Sequence, residues 1–377
     1  MTSRERMLVA LGNGQPDCVP VAPDTSNMIP CRLTGKPFWD IYLYQDPPLW
    51  QAYIGCVRHF GFDGWLPSVP VQLESDLAQA AAGPRWREAI VGRTPDRIYT
   101  RRHARIAGEE QWTDNCTVYY CADPPTHSVP CATVGLPEGP PAEWEDVQPR
   151  TSYTGLQAFE TARELMGEDG IVGLGIGLPG VALRPESVYE YYDNPGAVIE
   201  RCEAQHAAIV ARTRELVKLQ PDFILVGISG FMICNPLPVF RRLALPTLQE
   251  TTRIARQVGV PTQIHCCGPE YDLVKVSAEE SELTGINPLE PPPMGDCNLA
   301  QVKREFGSRL SLMGNLHTTD VMLRGTPETV AAASRQAIDD AAEGGGFILS
   351  TGDQCGRDTP DENIRAMIET ARTCGRY

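Results

Sequence analysis

The sequence predicts a single (β/α)8 TIM-type barrel, an α/β fold in which eight parallel strands alternate with helices around one core. Short apolar runs recur along the chain and alternate with segments of helical pattern, which is typical of a parallel sheet covered on both faces. Eight such runs can be counted, the number that closes a barrel. The length of 377 residues suits one unit of this kind, because such barrels commonly run past about 250 residues.

Two of the apolar runs lie in the N-terminal part of the chain and six follow residue 170. The predicted helices include a short amphipathic helix at the N-terminus, one around residues 50–60, and one that begins at Pro185 and continues past Cys202. Two more are predicted to begin near Thr326 and, with Thr359 as cap and proline in the first turn, near Pro360. The predicted strands cover residues 18–23, 64–68, 171–177, 222–229, 262–266, 285–289, 310–316 and 347–351.

Residues 70–150 differ from the rest of the chain. This segment is rich in proline and contains alternating stretches at 97–102 and 117–121. We interpret it as a β meander and loop inserted over the mouth of the barrel. An independent small domain is the alternative, and the low apolar content of the segment disfavours it. The predicted organisation is therefore one domain over residues 1–377 with an inserted subregion.

Composition excludes several classes of function. The net charge of −15 disfavours nucleic acid and anionic membranes as partners. No apolar run approaches the roughly 18 residues of a membrane span, and the first residues lack a secretory apolar core. Thirteen cysteines, an odd number without a disulfide framework, indicate a reducing compartment. We therefore expect a cytoplasmic protein.

His265, Cys267 and Cys355 form the most informative pattern. Each follows a short apolar run, and together they supply one imidazole and two thiolates. Such a soft N/S set suits zinc, and three protein ligands leave a fourth position for chemistry. The alternative is that these cysteines are small buried apolar residues. Their position at strand ends favours a metal, because catalytic groups of barrels come from the carboxyl ends of several strands.

Other polar residues also follow predicted strands. Glu290 follows the sixth strand, His317 the seventh and Asp353 the eighth, and all three are candidate catalytic residues. Glu290 could be a fourth ligand, a general acid, a substrate anchor or a solvated carboxylate. His317 could transfer protons or be a buried, hydrogen-bonded histidine. Cys266 should point away from its neighbours and is interpreted as a core residue.

Several further residues near strand ends are candidate substrate contacts. Arginines just beyond strands could bind an anionic substrate, although a surface salt bridge is the alternative for each one. Gly173, Gly175 and Gly177 superficially resemble a phosphate loop, but they are predicted to lie inside a strand, so we reject a dinucleotide site. The predicted substrate-binding residues are Ser229, Asn235, Arg184 and Arg357.

Several segments of this chain resemble the uroporphyrinogen decarboxylase superfamily. The similarity extends over nearly the whole sequence and is weakest over residues 70–150. It implies a single TIM-type barrel, in agreement with the strand count. The segments that carry it are 1–8, 16–20, 229–230, 262–268, 289–296, 312–315, 325–328 and 359–364.

The resemblance also separates two kinds of chemistry. Metal-free decarboxylases of this superfamily carry an arginine-rich N-terminal motif, and nothing similar is found at residues 22–28. Corrinoid-dependent methyltransferases carry His-x-Cys at one strand end and a cysteine near the last strand, a pattern that His265, Cys267 and Cys355 match. The sequence departs from many relatives at His317, where an aspartate commonly follows Gly-Asn.

The resemblance implies a zinc-dependent methyltransferase that moves a methyl group between a small methyl ether or thiol and cobalamin or a corrinoid protein, as in O-demethylation. The chain has no corrinoid-domain signature, so the corrinoid is expected to be free or on a separate partner. A homodimer is a further expectation. The alternatives are a metal-free decarboxylase and a non-catalytic barrel that binds cobalamin or another metabolite.

Overall fold

The computed structural model describes residues 1–25 and 27–377, with the side chains of those residues apart from positions 79 and 81. These residues divide into two compact units. The first comprises Met1–Asp24, Val57–Val69 and Arg163–Tyr377, and the second comprises Thr25–Cys56 and Pro70–Ala162. The predicted insertion at 70–150 thus forms most of the second unit, which also takes in residues 25–56. Its placement over the mouth, and the single-domain organisation, stay predictions.

A parallel sheet of seven strands forms the centre of the first unit. Neighbours in the sheet are also neighbours in sequence, the order expected when each strand is followed by a helical crossover. Apolar and small residues predominate in these strands, and most of their residues are buried, as in sheets covered on both sides. In order across the sheet, the strands are Gly64–Leu66, Gly170–Ile176, Phe223–Gly227, Thr262–His265, Gly285–Asn287, Ser311–Leu316 and Phe347–Thr351.

The segment around Val21 supplies the eighth position. Val21 forms a parallel bridge with Leu349 of the last strand, and the amide of Leu349 donates to Pro20 O at 2.9 Å. On its other side, the amide of Asp63 donates to Val21 O at 2.9 Å, next to the strand Gly64–Leu66. The sheet therefore closes on itself, which confirms the predicted TIM-type fold. The predicted strand 18–23 is reduced to isolated bridges, because prolines at 20 and 23 lack the amide hydrogens that a ladder needs.

The barrel interior and the N-terminal helix share one apolar core. Met7, Ala10 and Leu11 of the helix Ser3–Leu11 are fully buried against strand residues such as Phe223 and Met313. The helix begins with a capping box in which Thr2 and Glu5 exchange hydrogen bonds. Leu11 lies against Gly285, at the amino end of a strand. The amino end of the barrel is thus filled, and the carboxyl ends of the strands are left to carry polar groups.

Gly173 and Gly175 lie inside the strand Gly170–Ile176, as predicted, and Gly177 follows it. A Cβ at position 173 would lie 2.6 Å from Cζ of Phe223 on the next strand. The glycine is needed because that aromatic ring fills the adjacent space. The rejection of a dinucleotide loop is consistent with this packing, since the glycines open no helix.

Helices surround the sheet of the first unit, and two, Leu49–Phe60 and Gln157–Met166, run from one unit into the other. The second unit contains the helices Met28–Thr34, Phe38–Tyr42 and Glu74–Ala82. The helices of the first unit are Ser3–Leu11, Pro185–Asp193, Pro195–Leu216, Phe231–Cys234, Leu237–Leu243, Leu245–Gln257, Tyr271–Glu280, Leu299–Phe306, Pro327–Ala341 and Asp361–Cys374, with 3-10 turns at Gly167–Asp169 and Val217–Leu219 and a π-helix at Thr318–Leu323.

Two helix predictions need correction. The helix predicted from Pro185 past Cys202 is two helices, because Pro195 cannot donate a backbone hydrogen bond and Asn194 takes a non-helical conformation before it. Asn194 caps the second of them. Thr359 is not the cap of the last helix: Pro360 holds that position, and the buried hydroxyl of Thr359 has no partner in the part of the chain described. Thr326 caps its helix as predicted.

The second unit contains an antiparallel sheet, which agrees with the β character predicted for residues 70–150. Apolar side chains on its two faces form separate clusters, one with Leu43, Ile90 and Ile98, the other with Tyr99 and Val118. A 3-10 turn covers Cys131–Val134. The strands are Arg87–Arg93, Arg97–Ile106, Glu109–Trp112, Asn115–Tyr120, Thr126–Pro130 and Glu145–Asp146.

Across the described residues, every helix is too short or too polar to traverse a lipid bilayer.

Candidate metal and catalytic site

Three metal-binding side chains converge at the carboxyl ends of the barrel strands. Cys267 follows the strand Thr262–His265, Glu290 follows Gly285–Asn287, and Asp353 follows Phe347–Thr351. The Sγ of Cys267 and a carboxylate oxygen of each acid all lie within 4.8 Å of one another. Among residues 1–25 and 27–377, these three form the one such group of three or more side chains.

His265 lies beside this group. Its Nε2 is 3.8 Å from Oδ1 of Asp353, and its side chain is 11% exposed. An imidazole, a thiol and carboxylates together make a donor set that suits zinc. The predicted ligands His265 and Cys267 thus lie at one strand end with the predicted catalytic acids.

Asn287 is hydrogen-bonded to the Nδ1 atom of the His265 imidazole. The Nδ2 of Asn287 donates to Nδ1 of His265 at 3.2 Å, while the buried Oδ1 of Asn287 has no partner among the described residues. If the amide is turned so that Oδ1 accepts from Nδ1–H, that unpaired oxygen gains a partner and Nε2 keeps its lone pair for a metal. The orphaned oxygen therefore fits a metal-ligating state of His265.

The environment of Cys267 keeps its thiol protonated when no cation is bound. Burial raises the pKa of the Cys267 thiol, and the nearby carboxylate of Asp353 adds to that effect. The amide of Gly230, which donates to Cys267 O at 3.2 Å, and the hydroxyl of Ser229 oppose this shift, and both lower the pKa of the thiol. Since a bound cation stabilises a thiolate, this sulfur is poised to lose its proton when a metal binds.

Glu290 is a buried carboxyl group with one backbone hydrogen bond. It is 5% exposed, and its Oε2 accepts from the amide of Gly268 at 2.5 Å. Burial raises the pKa of Glu290, the Gly268 amide opposes that shift, and the charge of Asp353 adds to it. A carboxyl group in this setting holds a proton at higher pH than a solvated glutamate does.

The backbone that carries the two acids departs from ordinary conformations. Asp353 has φ of +143°, and Leu289, immediately before Glu290, has φ of +60°. A non-glycine residue in the left-handed region costs about 1–2 kcal/mol. Outliers of this kind concentrate at functional sites, where surrounding contacts impose them.

Cys355, the third predicted zinc ligand, is buried but is not a member of the close group. Its amide donates to Asp24 O at 2.8 Å, which ties the segment after the last strand to the end of the first. The amide of Asp24 in turn donates to the hydroxyl of Thr351 at 3.0 Å. The ligand role of Cys355 stays a prediction.

His317 begins the π-helix Thr318–Leu323 at the seventh strand end. Its Nδ1 accepts hydrogen bonds from the amides of Thr319 and Asp320 at 3.2 and 3.0 Å. The Nε2 is buried without a hydrogen-bond partner among the described residues and lies 3.9 Å from Asp320 Oδ2. The ring therefore has a helix-capping function on one side, and its proton-transfer role stays a prediction.

The predicted substrate-binding residues have different surroundings. Ser229 is exposed and contacts the sulfur of Cys267. Asn235 is fully buried, and its amide bonds to the backbone of Val181 in both directions, each at 2.8 Å. Asn235 thus joins the loops after the third and fourth strands.

The two predicted arginines form short-range contacts. Arg184 is exposed and donates from Nε to the hydroxyl of Ser187 at 2.8 Å. Arg357 donates from Nε to its neighbour Asp358 at 3.0 Å. Substrate binding by Ser229, Asn235, Arg184 and Arg357 stays a prediction.

Sequence reasoning missed Asn287, Glu270 and Asp24. Asn287 ends a strand at the level of His265, its register partner, so its position beside that ring follows from the strand alignment. Glu270 is fully buried, although glutamate in a Gly-Pro-Glu-Tyr turn resembles a surface residue. Asp24 follows a proline at the end of the first strand, where the strand-end rule applied to the other acids would have included it.

Comparison with known proteins agrees with this fold. Residues 190–374 match the family described as Uroporphyrinogen decarboxylase (URO-D). The methylcobamide:CoM methyltransferase MtbA of Methanosarcina mazei is 28% identical over 133 residues, which cover 35% of this chain and 36% of that protein. The methylated-thiol--coenzyme M methyltransferase of Methanosarcina mazei is 26% identical over 180 residues, 45% of each chain. The matched segments thus span less than half the length of these relatives.

A solved structure extends the comparison to the whole fold. A methyltransferase from Methanosarcina mazei shares the fold over 99% of both chains, with a TM-score of 0.62 and 18% identity. The family match, the related sequences and the barrel support the same assignment. Residues 190–374 match as a uroporphyrinogen decarboxylase (URO-D) family domain, and the relatives described here are methyltransferases.

Proposed function

We propose that this protein is a zinc-dependent methyltransferase that moves a methyl group between a small methyl ether or thiol and a corrinoid, either free or on a separate protein. The observation that carries the proposal is the group Cys267, Glu290 and Asp353, within 4.8 Å of one another, with His265 beside it. The names of the related methylcobamide:CoM and methylated-thiol methyltransferases support methyl transfer.

We assign His265, Cys267 and Cys355 as the zinc ligands. The imidazole is oriented by Asn287, and the hydroxyl of Ser229 lowers the pKa of the Cys267 thiol. Glu290 or Asp353 would complete the donor set before substrate binds. When bound, zinc supplies a lowered pKa for a thiol substrate or polarises the oxygen of a methyl ether.

In this proposal Glu290 donates or accepts the proton of the reaction. When a methyl ether is the donor, its C–O bond breaks, the methyl group passes to the corrinoid, and the alkoxide takes the proton of the Glu290 carboxyl. When a thiol is the acceptor, its S–H proton must leave before sulfur attacks carbon, and Glu290 or Asp353 accepts it. The raised pKa of Glu290 suits both directions, because a group that titrates nearer neutral pH both gives and takes a proton.

The remaining assignments are proposals from the position of each residue after a barrel strand. We assign Ser229, which lowers the pKa of the Cys267 thiol, to the substrate side of the site. His317 assists proton transfer through its unbonded Nε2. Arg184 and Arg357 bind polar parts of the substrate, and Asn235 shapes the loops that surround it. We propose that the enzyme works in the cytoplasm, with a corrinoid protein as partner, and that it forms a homodimer.

Metal analysis tests this proposal before any assay of activity. Protein purified without chelators should hold about one equivalent of zinc, and Cys267→Ala should hold less than about 0.2 equivalents. Cys121→Ala, which removes an exposed thiol of the second unit, is the control and should keep the zinc. Cys355→Ala tests the third ligand separately. Wild-type protein with less than about half an equivalent would favour the metal-free decarboxylase instead.

A further inference from the structure

Glu270 is a fully buried carboxyl group behind the site. It lies at the start of the helix Tyr271–Glu280 and has no exposed surface. Its Oε2 accepts a hydrogen bond of 2.7 Å from the amide of Leu289, while its Oε1 has no partner among the described residues. A buried acid with a single backbone donor needs an explanation, since most buried polar atoms are paired.

Leu289 is the residue that this bond holds. It has φ of +60°, in the region where a residue with a side chain is strained, and its own side chain is fully buried. Its carbonyl is held as well, by a 3.0 Å bond from Nδ2 of Asn315. Both polar groups of the Leu289 backbone are therefore fixed by buried or half-buried side chains, which is how a strained conformation persists.

The turn at Leu289 directs Glu290 toward Cys267. From that turn, the carboxylate of Glu290 reaches the Gly268 amide at 2.5 Å and joins the group with Cys267. The carbonyl of Glu290 accepts from the amide of Cys297 at 3.1 Å. A Cβ at Gly295 would lie 2.4 Å from that carbonyl, so the loop packs tightly on the residue.

A second contact joins the same two segments. The Oδ1 of Asp296 accepts from the amides of Glu270 and Tyr271 at 2.7 and 3.0 Å. Two sets of hydrogen bonds therefore join the segments 268–271 and 289–297: one to the carboxyl of Glu270 and one to the carboxylate of Asp296. The bond to Glu270 is the buried one, and its donor is the amide of the strained residue, Leu289.

We propose that Glu270 is a positioning residue, whose buried carboxyl holds the left-handed turn at Leu289 and so aims Glu290 at Cys267. The role of Glu290 in this inference rests on the proposed function, whereas the hold on Leu289 does not. Among the described residues, the hydrogen bond of the Glu270 carboxyl comes from the amide of Leu289. Its effect passes through the backbone of one residue.

The surroundings of Glu270 favour the neutral form of its carboxyl group. Burial raises the pKa of Glu270 well above that of an ordinary glutamate, and the neighbouring acids Glu290 and Asp296 add to this. A neutral carboxyl has the shape of a carboxamide and offers the same acceptor to the Leu289 amide. Glutamine should therefore replace Glu270, whereas a side chain of similar volume without an acceptor should not.

Hydrogen–deuterium exchange on metal-free protein tests the positioning role directly. In Glu270→Met, amide exchange over residues 286–298 should accelerate by about tenfold or more relative to wild type, and in Glu270→Gln it should stay within about threefold. The control is Asp222→Leu, which removes another buried carboxylate that accepts from a backbone amide, that of Val172 at 2.9 Å, at the amino end of the barrel. In Asp222→Leu, amide exchange over residues 286–298 should stay within about threefold of the wild-type rate.

Zinc affinity, measured by chelator competition on the same proteins, gives the second readout. Glu270→Met should weaken zinc binding by about 10–100-fold, and Glu270→Gln and Asp222→Leu should change it by less than about threefold. If Glu270→Met does not fold, Glu270→Ser serves in its place, because its short side chain cannot reach the Leu289 amide.

The two readouts separate two failures. If wild type binds no zinc, the proposed function fails, yet the exchange measurement still decides the positioning role. The inference is overturned if Glu270→Met keeps wild-type exchange over 286–298, or if Glu270→Gln loses as much protection as Glu270→Met.

Discussion

His265 Nε2 lies 3.8 Å from Oδ1 of Asp353, although the two residues belong to the fifth and eighth strands of the barrel. Parallel strands place their carboxyl ends at one rim, so side chains from distant parts of the sequence meet there. The rim collects an imidazole, a thiol and two carboxylates, and the amino end is filled by the helix Ser3–Leu11. This division separates the chemistry of the protein from its stability.

The link between His265 and Asn287 predicts an effect on metal binding. Asn287→Ala should weaken zinc binding by about tenfold, because the imidazole loses the group that fixes its orientation. The measurement is a chelator competition titration. Asn363→Ala is the matched control: Asn363 is equally buried, donates to Met322 O and Gly325 O, and is not part of the metal-binding group. Equal zinc affinity in Asn287→Ala and wild type would show that Asn287 does not support metal binding by His265.

The contact between Ser229 and Cys267 predicts a change in thiol reactivity. Ser229→Ala removes a hydrogen bond that lowers the pKa of the Cys267 thiol, so alkylation of Cys267 in metal-free protein should slow at a given pH and shift to higher pH. Mass spectrometry of the Cys267 peptide measures the rate against pH. Exposed Cys121 in the same sample is the internal reference and should be unchanged. A faster reaction of Cys267 in the variant would contradict the contact.

Gly295 predicts a packing defect at the loop of Glu290. Gly295→Ala would place a Cβ 2.4 Å from Glu290 O and 2.7 Å from Gly268 O, and such overpacking costs about 1–3 kcal/mol. The melting temperature and the affinity for zinc should both fall. Gly55→Ala, at a helix position where a Cβ meets nothing within 4 Å, should keep or raise the melting temperature. A Gly295→Ala protein with unchanged stability and zinc affinity would show that the loop has room.

The burial of Glu270 predicts how stability depends on pH. Its pKa is raised in the folded state, so the folded protein binds the proton more tightly than the unfolded chain does. The stability that this proton contributes is present below the unfolded pKa of about 4.3 and declines as pH rises toward the folded pKa. Glu270→Gln cannot titrate, so metal-free variant and wild type should be similar near pH 4, and the variant should be more stable at pH 8.

Urea unfolding at several pH values measures this difference. Glu279→Gln, on the exposed side of the same helix, is the control and should follow wild type at each pH. A Glu270→Gln protein that is less stable than wild type at pH 8 would mean that the buried carboxyl is charged.

Much of the barrel could be predicted from the sequence, because its strands are short apolar runs and their order follows the chain. The run before His265 is an example: it ends at the residue predicted to begin the site. Two features were missed: the helix break at Asn194, and the start of the last helix, where Pro360 rather than Thr359 is the cap. Both depend on the backbone conformation next to a proline rather than on apolar periodicity.

The site could be predicted only in part. Cys267, Glu290 and Asp353 were found because strand ends are visible in the sequence, and Cys266 was correctly assigned to the core. The supporting residues have no such signal. The importance of Glu270 rests on its burial and on one hydrogen bond with the amide of Leu289. No pattern of residue types in the sequence predicts that Leu289 has a left-handed backbone conformation.

Zinc content compared between wild type and Cys267→Ala, with methyl transfer to or from cobalamin followed by absorbance in the same samples, tests the central claim most directly. We expect about one zinc ion per wild-type chain, and loss of both the metal and methyl transfer in the variant. A Cys267→Ala protein that transfers methyl groups at the wild-type rate, or an active wild type without zinc, would contradict it.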